Sequence, residues 1–444
     1  MSTISSSSSS STNGQLGVGI DVASTVASLM QAQRLPEQQL QNQQTQLNAQ
    51  SAVLRTINGN LNTLQTGVQA LADFNGQLAA RTASTSNAGI LTATADSTAA
   101  IGQHQIVVTS LAQTSSAYSD AVATSSTPLT TGSFSIKVGS ATAVPVTVDS
   151  TNNTLAGLAQ TINAANIGVS ASVITDASGA RLSLLSSSSG AAGDITVTGT
   201  LGAVKFNKAV TGADASLTVD GIPVDSASNT VTNVVPGVTL NLLGANSGST
   251  VTLGVAADTA QASAAIKSFV GSYNTAIQSV NAQFAFTPGS APPPLMGDSS
   301  LILVQQQMYS SLSYSTSGNS GINSLGDLGI TVNNDGTLAV DSAKLSGVLN
   351  SNNTAALNFF QAASAGFAQK FNTVLGQMTD PAQGAISVEL KGAASSLTSL
   401  QSQISDFEAR MTLIQNQLTK QFDTVNTTLQ QMPLLLGQIN SQLG

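Results

Sequence analysis

His104 is the single histidine of a 444-residue chain that has no cysteine. A Ser-His-Asp arrangement would have to be built around that one imidazole, and multi-histidine or thiolate metal sites are excluded. His104 lies between Gln103 and Gln105 at the start of an apolar run, with no G-x-S-x-G around a partner serine, so it reads as an edge histidine. Asn333, Asp335 and Gly336 have the residue types of a calcium loop. Thr331, however, holds the first ligand position and Ser342 the twelfth, where Glu is required, so the run reads as a hairpin turn. Gly17-Val18-Gly19 lacks the third glycine and the preceding strand of a dinucleotide fingerprint, and no Walker lysine is present. The scatter of the 21 acidic residues gives no positive support for the carboxylate pair of glycoside hydrolysis, whose spacing in space the sequence does not give, and 4% aromatic residues with no Trp argue against a sugar-stacking cleft. The expectation is a protein that is not an enzyme and uses no cofactor and no metal.

What the residue spacing does offer is apolar surface. Leu54, Ile57, Leu61, Leu64, Val68 and Leu71 recur at steps of three and four near one end. Near the other, Leu397, Leu400, Ile404, Phe407, Met411, Ile414 and Leu418 do the same, resuming at Val425 and reaching Met432, Leu435 and Ile439, with Pro433 interrupting the last turns. Such spacing keeps one helical face apolar and packs helix on helix in coiled coils. The first stripe reads equally well as the core of a bundle inside one subunit. The second, a long seam with few charges opposite, favours packing between subunits.

Composition narrows the class. Apolar residues make up 41% but charged residues only 8%, where about 25% is usual, so Ser, Thr, Asn and Gln must supply the polar surface. Lys and Arg number 13 and form no cluster, against 21 Asp and Glu, which excludes a phosphate-binding footprint and hence nucleic acid. Arg34 is the first basic residue and Ser5 to Ser11 form a polar run, so no secretory n-region or h-region is visible. No apolar stretch approaches the roughly 18 residues of a spanning helix, so no membrane insertion is expected.

These surfaces must be carried by long helices at the two ends. Residues 1–19, mostly Ser, Thr, Gly and Asn, bury too little to offset their ordering entropy and read as a disordered leader. Asp21 is a good N-cap for a helix carrying Val22, Val26, Leu29 and Met30, and Pro36 ends it and starts a second helix running to about Leu78. From about residue 85 the period shifts toward two: Gln105 to Val108, Phe134 to Val138, Val144 to Val148, Val169 to Thr175 with Arg181 to Leu185, Leu217 to Val224, Val231 to Leu243 and Ser249 to Val255 are strand candidates. Leu155 to Ile167 reads as a short helix and Ala264 to Val280 as a longer one. Ile330 to Val332 and Leu338 to Val340 flank the Asn333 to Gly336 turn.

Taken in order, these residues resemble the flagellar hook-associated protein 2 family, the filament cap proteins of bacterial flagella. The resemblance rests on Gly19-Ile20-Asp21-Val22 with Val26, Leu29-Met30 and Pro36; on Ile106-Val107-Val108 with Leu111-Ala112-Gln113; and on Ala215 to Ile222 with Ser228-Asn229-Thr230 and Pro236 to Leu240. Leu328-Gly329-Ile330, Asp335 to Leu338, Asp341 and Gln421-Phe422 are similar to the family's C-terminal pattern. The Ser-rich leader and a last helix poorer in Arg, Glu and Tyr depart from it.

The fold expected is α+β multidomain, with long N- and C-terminal helices forming a coiled-coil or helical-bundle leg and β-rich head domains inserted between them. The divisions expected are a terminal coiled coil (20–50 with 405–444) and a helical bundle with a β-hairpin (51–84 with 260–404). Beyond these lie one β-rich head (85–127 with 209–259) and a second with one short helix (128–208). The resemblance implies an oligomeric cap at the filament tip that retains exported flagellin and promotes its polymerisation. It implies as partners flagellin, further copies in a ring, hook-associated proteins and a flagellar export chaperone, with mucin or host glycans in a secondary adhesive role. It also implies export without a cleaved signal. The residues expected at the assembly interface are Ile20, Val22, Val26, Leu29, Met30, Leu54, Ile57, Leu61, Leu64, Val68, Leu71, Ile404, Phe407, Met411, Ile414, Leu418, Phe422 and Val425. An adhesin with a glycan-binding head and another axial junction protein are the alternatives.

Overall fold

The computed structural model describes residues 21–443 apart from positions 201 and 364. In chain order come α1 (Val22–Gln33), α2 (Leu35–Ala72), β1 (Arg81–Thr85), β2 (Leu91–Ala95), β3 (Gly102–Ser110), β4 (Thr114–Ser119), β5 (Gly132–Val138) and β6 (Val144–Val148). There follow α3 (Leu155–Ala164), β7 (Val169–Asp176), β8 (Gly179–Ser189), β9 (Ile195–Thr198), β10 (Phe206–Val210), β11 (Ala215–Val219), β12 (Ile222–Ser226), β13 (Thr230–Thr232), β14 (Val238–Leu242) and β15 (Val251–Ala257). The chain then returns to helix as α4 (Thr259–Asn281) and α5 (Ser299–Leu312), makes the hairpin β16 (Ile330–Val332) and β17 (Leu338–Val340), and ends in α6 (Ser342–Ser351), α7 (Asn353–Gln361), α8 (Phe367–Thr379) and α9 (Ala385–Leu443). This is the α+β multidomain layout expected, with helices at both ends enclosing β-rich heads. The leader and Gly17-Val18-Gly19 lie outside the described residues.

Side-chain caps decide where several helices begin. Asp21 accepts from the Ser24 amide at 3.1 Å, Asp258 from Gln261 at 2.9 Å, and Asp298 from Leu301 at 3.0 Å, each satisfying an orphan N–H of a first turn. Pro36 sits in the first turn of α2, where its missing donor costs nothing, and the Arg34–Glu37 ion pair at 2.9 Å spans the joint with α1. α2 stops at Ala72, earlier than expected, because Asp73 turns extended and Gly76 packs where a Cβ would meet the Ala70 carbonyl. α9 runs unbroken through Pro433, contrary to the expected interruption. Side chains on either side of Pro433 are exposed, so the carbonyl that loses its donor there can be met by water.

Three large cores follow from this order. In the helical bundle, Leu54, Ile57, Leu61, Leu64, Val68 and Leu71 of α2 pack with Ile266, Phe269, Tyr273 and Ile277 of α4, with α5, and with Phe359, Phe367 and Phe371 of α7 and α8. The first head pairs a five-stranded antiparallel sheet, β1-β15-β3-β11-β12, with a three-stranded one, β13-β14-β2, around Ile106, Leu217, Leu240 and Leu253. The second head sets β10-β4-β8-β7 against β6-β5-β9 and α3, around Phe134, Leu158, Ile162 and Leu184. Residues 114–119, expected in the first head, belong to the second, because β4 pairs with β8 and β10 there. Residues 209–210 do likewise as the end of β10.

The heads are joined by two strands of chain and pinned where these cross. Gln113 bridges Ala213, and Asp194 accepts from Ser115 Oγ (3.0 Å), Lys208 Nζ (2.6 Å) and the Gly212 amide (2.8 Å). Burial pushes the Asp194 carboxyl up, but Lys208 and the two hydrogen-bond donors more than offset it and hold the group below the usual carboxylate range.

At the edge of the second head, Asn163 of α3 stands in for a neighbouring strand. Its Nδ2 donates to the Ala171 backbone carbonyl and its Oδ1 accepts from the Ala171 amide, both at 2.8 Å. Asn163→Ala should leave two backbone groups of β7 without protein partners. Each orphaned buried group costs about 1–3 kcal/mol, so the urea midpoint of the second head should fall while the bundle transition stays in place.

Candidate assembly surface

The residues with catalytic chemistry are spent on structure. His104 Nδ1 lies 2.8 Å from Asp220 Oδ2, while Asp220 Oδ1 accepts from the Gln105 amide at 2.8 Å. Asp220 occupies the left-handed region (φ 53°) in the turn before Gly221, so the acid ties the β11–β12 turn to β3. The backbone bond to Gln105 and the contact with His104 keep its carboxyl below the usual range. No serine hydroxyl is hydrogen-bonded to His104 among the described residues.

The Asn333–Gly336 turn uses its oxygens internally. Asp335 Oδ1 accepts from the Thr337 amide (3.0 Å) and hydroxyl (2.6 Å), and its carbonyl accepts from Asn281 Nδ2 at 2.7 Å. Asn274, also on α4, bonds both the amide and the carbonyl of Leu338. The hairpin is thereby stapled to α4, and Gly336 takes φ 78° beneath Tyr309. Among the described residues, no three His, Asp or Glu side chains converge on a metal position.

The two apolar stripes have different fates. Leu54, Ile57, Leu61, Leu64, Val68 and Leu71 are each at most 1% exposed inside one chain. They were expected at an interface, and the structure corrects this: α4 and α8 of the same chain cover them, so they present nothing to a neighbour. Their spacing marks a core because α2 is packed on several sides.

The terminal seam is a separate body of contacts. α9 packs against α2, where Gln44 Nε2 donates to Gln401 Oε1 at 2.7 Å, and farther along it α9 meets α1. Val26, Met30 and Met411 are buried there, with Val22, Phe407, Ile414, Leu418 and Phe422 packed around them. Ile404 is buried too, one turn before the seam. Leu29 points away and is exposed, Val425 is 45% exposed, and Ile20 lies outside the described residues.

Past Phe422 nothing among the described residues covers the apolar side chains of α9. Val425, Met432, Leu434, Leu435, Leu436 and Ile439 are 44–72% exposed, as is Leu413 earlier on. Leu413, Leu434 and Leu436 were not among the residues singled out from the sequence. The dense Met432 to Leu436 run was the available signal, and a single-face search passes over residues that broaden the apolar surface beyond one stripe. Exposed apolar area of this kind marks an interaction surface.

This build defines a multidomain scaffold whose ends meet in one helical seam while its heads are carried between them. The N-terminus profile of the flagellar hook-associated protein 2 family matches residues 18–115, and the C-terminus profile matches residues 212–433. The chain is 32% identical over 404 residues to the B-type flagellar hook-associated protein 2 of Pseudomonas aeruginosa, covering 84% of each. It is 29% identical over 368 residues to the flagellar hook-associated protein 2 of Escherichia coli K12, covering 75% of this chain and 76% of that one. The crystal structure of the D1-D2-D3 domains of the flagellar cap protein FliD from Escherichia coli superposes with a TM-score of 0.63 at 25% identity, over 77% of this chain and 99% of that one. The chain belongs to the flagellar hook-associated protein 2 family.

Proposed function

We propose that this protein caps the distal tip of the bacterial flagellar filament, as an oligomer that retains exported flagellin and promotes its polymerisation. Family membership supports the role, and the observation that carries the mechanism is the uncovered apolar stretch of α9 beyond the α1 seam. Such a surface gains free energy when a neighbour covers it, at about 25 cal/mol per Å² less the ordering cost. The finer reading is that copies of the chain close a ring and that Val22, Val26, Met30, Phe407, Met411, Ile414, Leu418, Phe422 and Val425 form the leg on which neighbours and flagellin pack. Other hook-associated proteins and a flagellar export chaperone are its further partners, by family resemblance, and export needs no cleaved signal. Among the described residues no helix is long and apolar enough to cross a membrane. The four divisions of the chain are its folding units, with residues 114–127 and 209–210 moved to the second head. An adhesive role on mucin or host glycans is secondary in this reading.

The test is to express a tagged copy in a strain lacking its own cap. Tagged protein at filament tips, with swimming restored and little free flagellin in the medium, is the expected outcome. Localisation to the hook junction or along the cell surface would overturn the assignment.

A further inference from the structure

We infer that Glu389 and Asp298 form a proton-operated latch between the first turns of α9 and the start of α5, closed when one proton is shared and loosened when both carboxyls are charged. Glu389 stands one turn into α9, next to buried Ile386, and is only partly exposed. Its Oε2 is buried with no hydrogen-bond partner, an arrangement costly for a charged oxygen and natural for one carrying a proton to give. Facing it across the α5–α9 contact are Asp298 and Ser300. Asp298 cannot swing away freely, because its Oδ1 caps α5 through the Leu301 amide.

Among the described residues no ion pair involves either carboxyl. Lys391, two residues along α9, bears on Asp380 in the turn after α8, while Arg55 on α2 and Lys370 on α8 are exposed to solvent. Burial first, and then the Asp298 carboxyl, push the Glu389 carboxyl up to about 7. Because the folded chain holds this proton to higher pH than an unfolded one, the contact's contribution is complete below pH 4.5 and is lost as pH rises through about 7. The helix so held is the one that carries the α1 seam and the uncovered tail, so the latch links acidity outside the cell to how firmly that helix is rooted in the bundle.

The measurement is amide exchange across 385–392 and 299–303, with the bundle's melting temperature, on the full chain between pH 5 and 8.5. After correction for intrinsic exchange, wild-type protection in these two segments should fall on the order of tenfold across pH 7, a factor of ten being one pKa unit, and the melting temperature should fall with it. Glu389→Gln should abolish both dependences. Asp298→Asn keeps the helix cap but removes the like charge, so it should move the transition to lower pH. Wild type and Glu389→Gln giving the same pH profile would overturn the latch, as would a wild-type transition unmoved by Asp298→Asn.

Discussion

Removing residues 405–444 should abolish swimming while leaving the helical bundle folded. The core of that bundle draws on no residue beyond Leu390, well before the deletion starts, so its melting temperature should stay within about 2 °C, less than the shift a 1 kcal/mol change makes in a unit of this size. What the deletion takes away is Phe407, Met411, Ile414, Leu418 and Phe422, the floor on which Val22, Val26 and Met30 rest. α1 is 12 residues long, and a helix of that length is marginal in water without partners. Its amides should therefore lose exchange protection, and flagellin should accumulate unpolymerised in the medium. Stability and assembly come apart because the seam and the bundle core share no side chain. A truncated chain that still supports swimming would remove the terminal seam from the mechanism.

How much of this could be read beforehand depends on what fills the inward positions. The α1 cap at Asp21, the stripe of α2, α4, and the hairpins β7–β8, β11–β12 and β16–β17 were legible, since apolar spacing and Asp, Asn and Gly turn residues coincide there. β4 was not, because two of its inward positions are serines. Ser115 Oγ accepts from the Ile195 amide and Ser119 Oγ from the Leu182 amide, each at 2.9 Å, so hydroxyls occupy fully buried sites that alternation would reserve for apolar residues. That one strand explains why the border between the heads was drawn too late. Helices α5 to α8 were left unassigned although α8 repeats Phe367, Phe371, Leu375 and Met378. Short helices separated by Gly and Asn carry too few turns for the period to stand out.

For the candidate surface, the spacing of the α2 stripe gave the right face and the wrong neighbour. Periodicity reports that a face is covered, and only the tertiary fold shows whether the cover comes from the same chain. The C-terminal seam divides for the same reason. Its first half meets α1, while among the described residues nothing covers its second half, although apolar residues recur along both.

Phe367→Ala should be the most destabilising single substitution in the bundle. Its ring, 1% exposed, stacks on Phe359 with centroids 5.7 Å apart and planes 12° apart. It also meets Phe269 and Phe371 at 5.7 Å, Phe360 at 5.9 Å and Tyr314 at 6.0 Å. These rings belong to α4, α7, α8 and the segment after α5, so one side chain joins pieces of chain about a hundred residues apart. Truncating a buried Phe costs about 3–5 kcal/mol, and here the rings around it are held by one another and can close the cavity only by giving up their own edge-to-face contacts. A unit of this size loses about 2–4 °C per kcal/mol, so the bundle transition should fall by roughly 6–20 °C in a calorimetric scan. Phe286→Ala, at a ring 51% exposed, should move it by much less. The transitions of the two heads should stay where they are, because their cores share no residue with the aromatic cluster. A uniform shift of all transitions would mean that bundle and heads unfold as one cooperative unit, and the separation of cores that decouples assembly from stability would then fail.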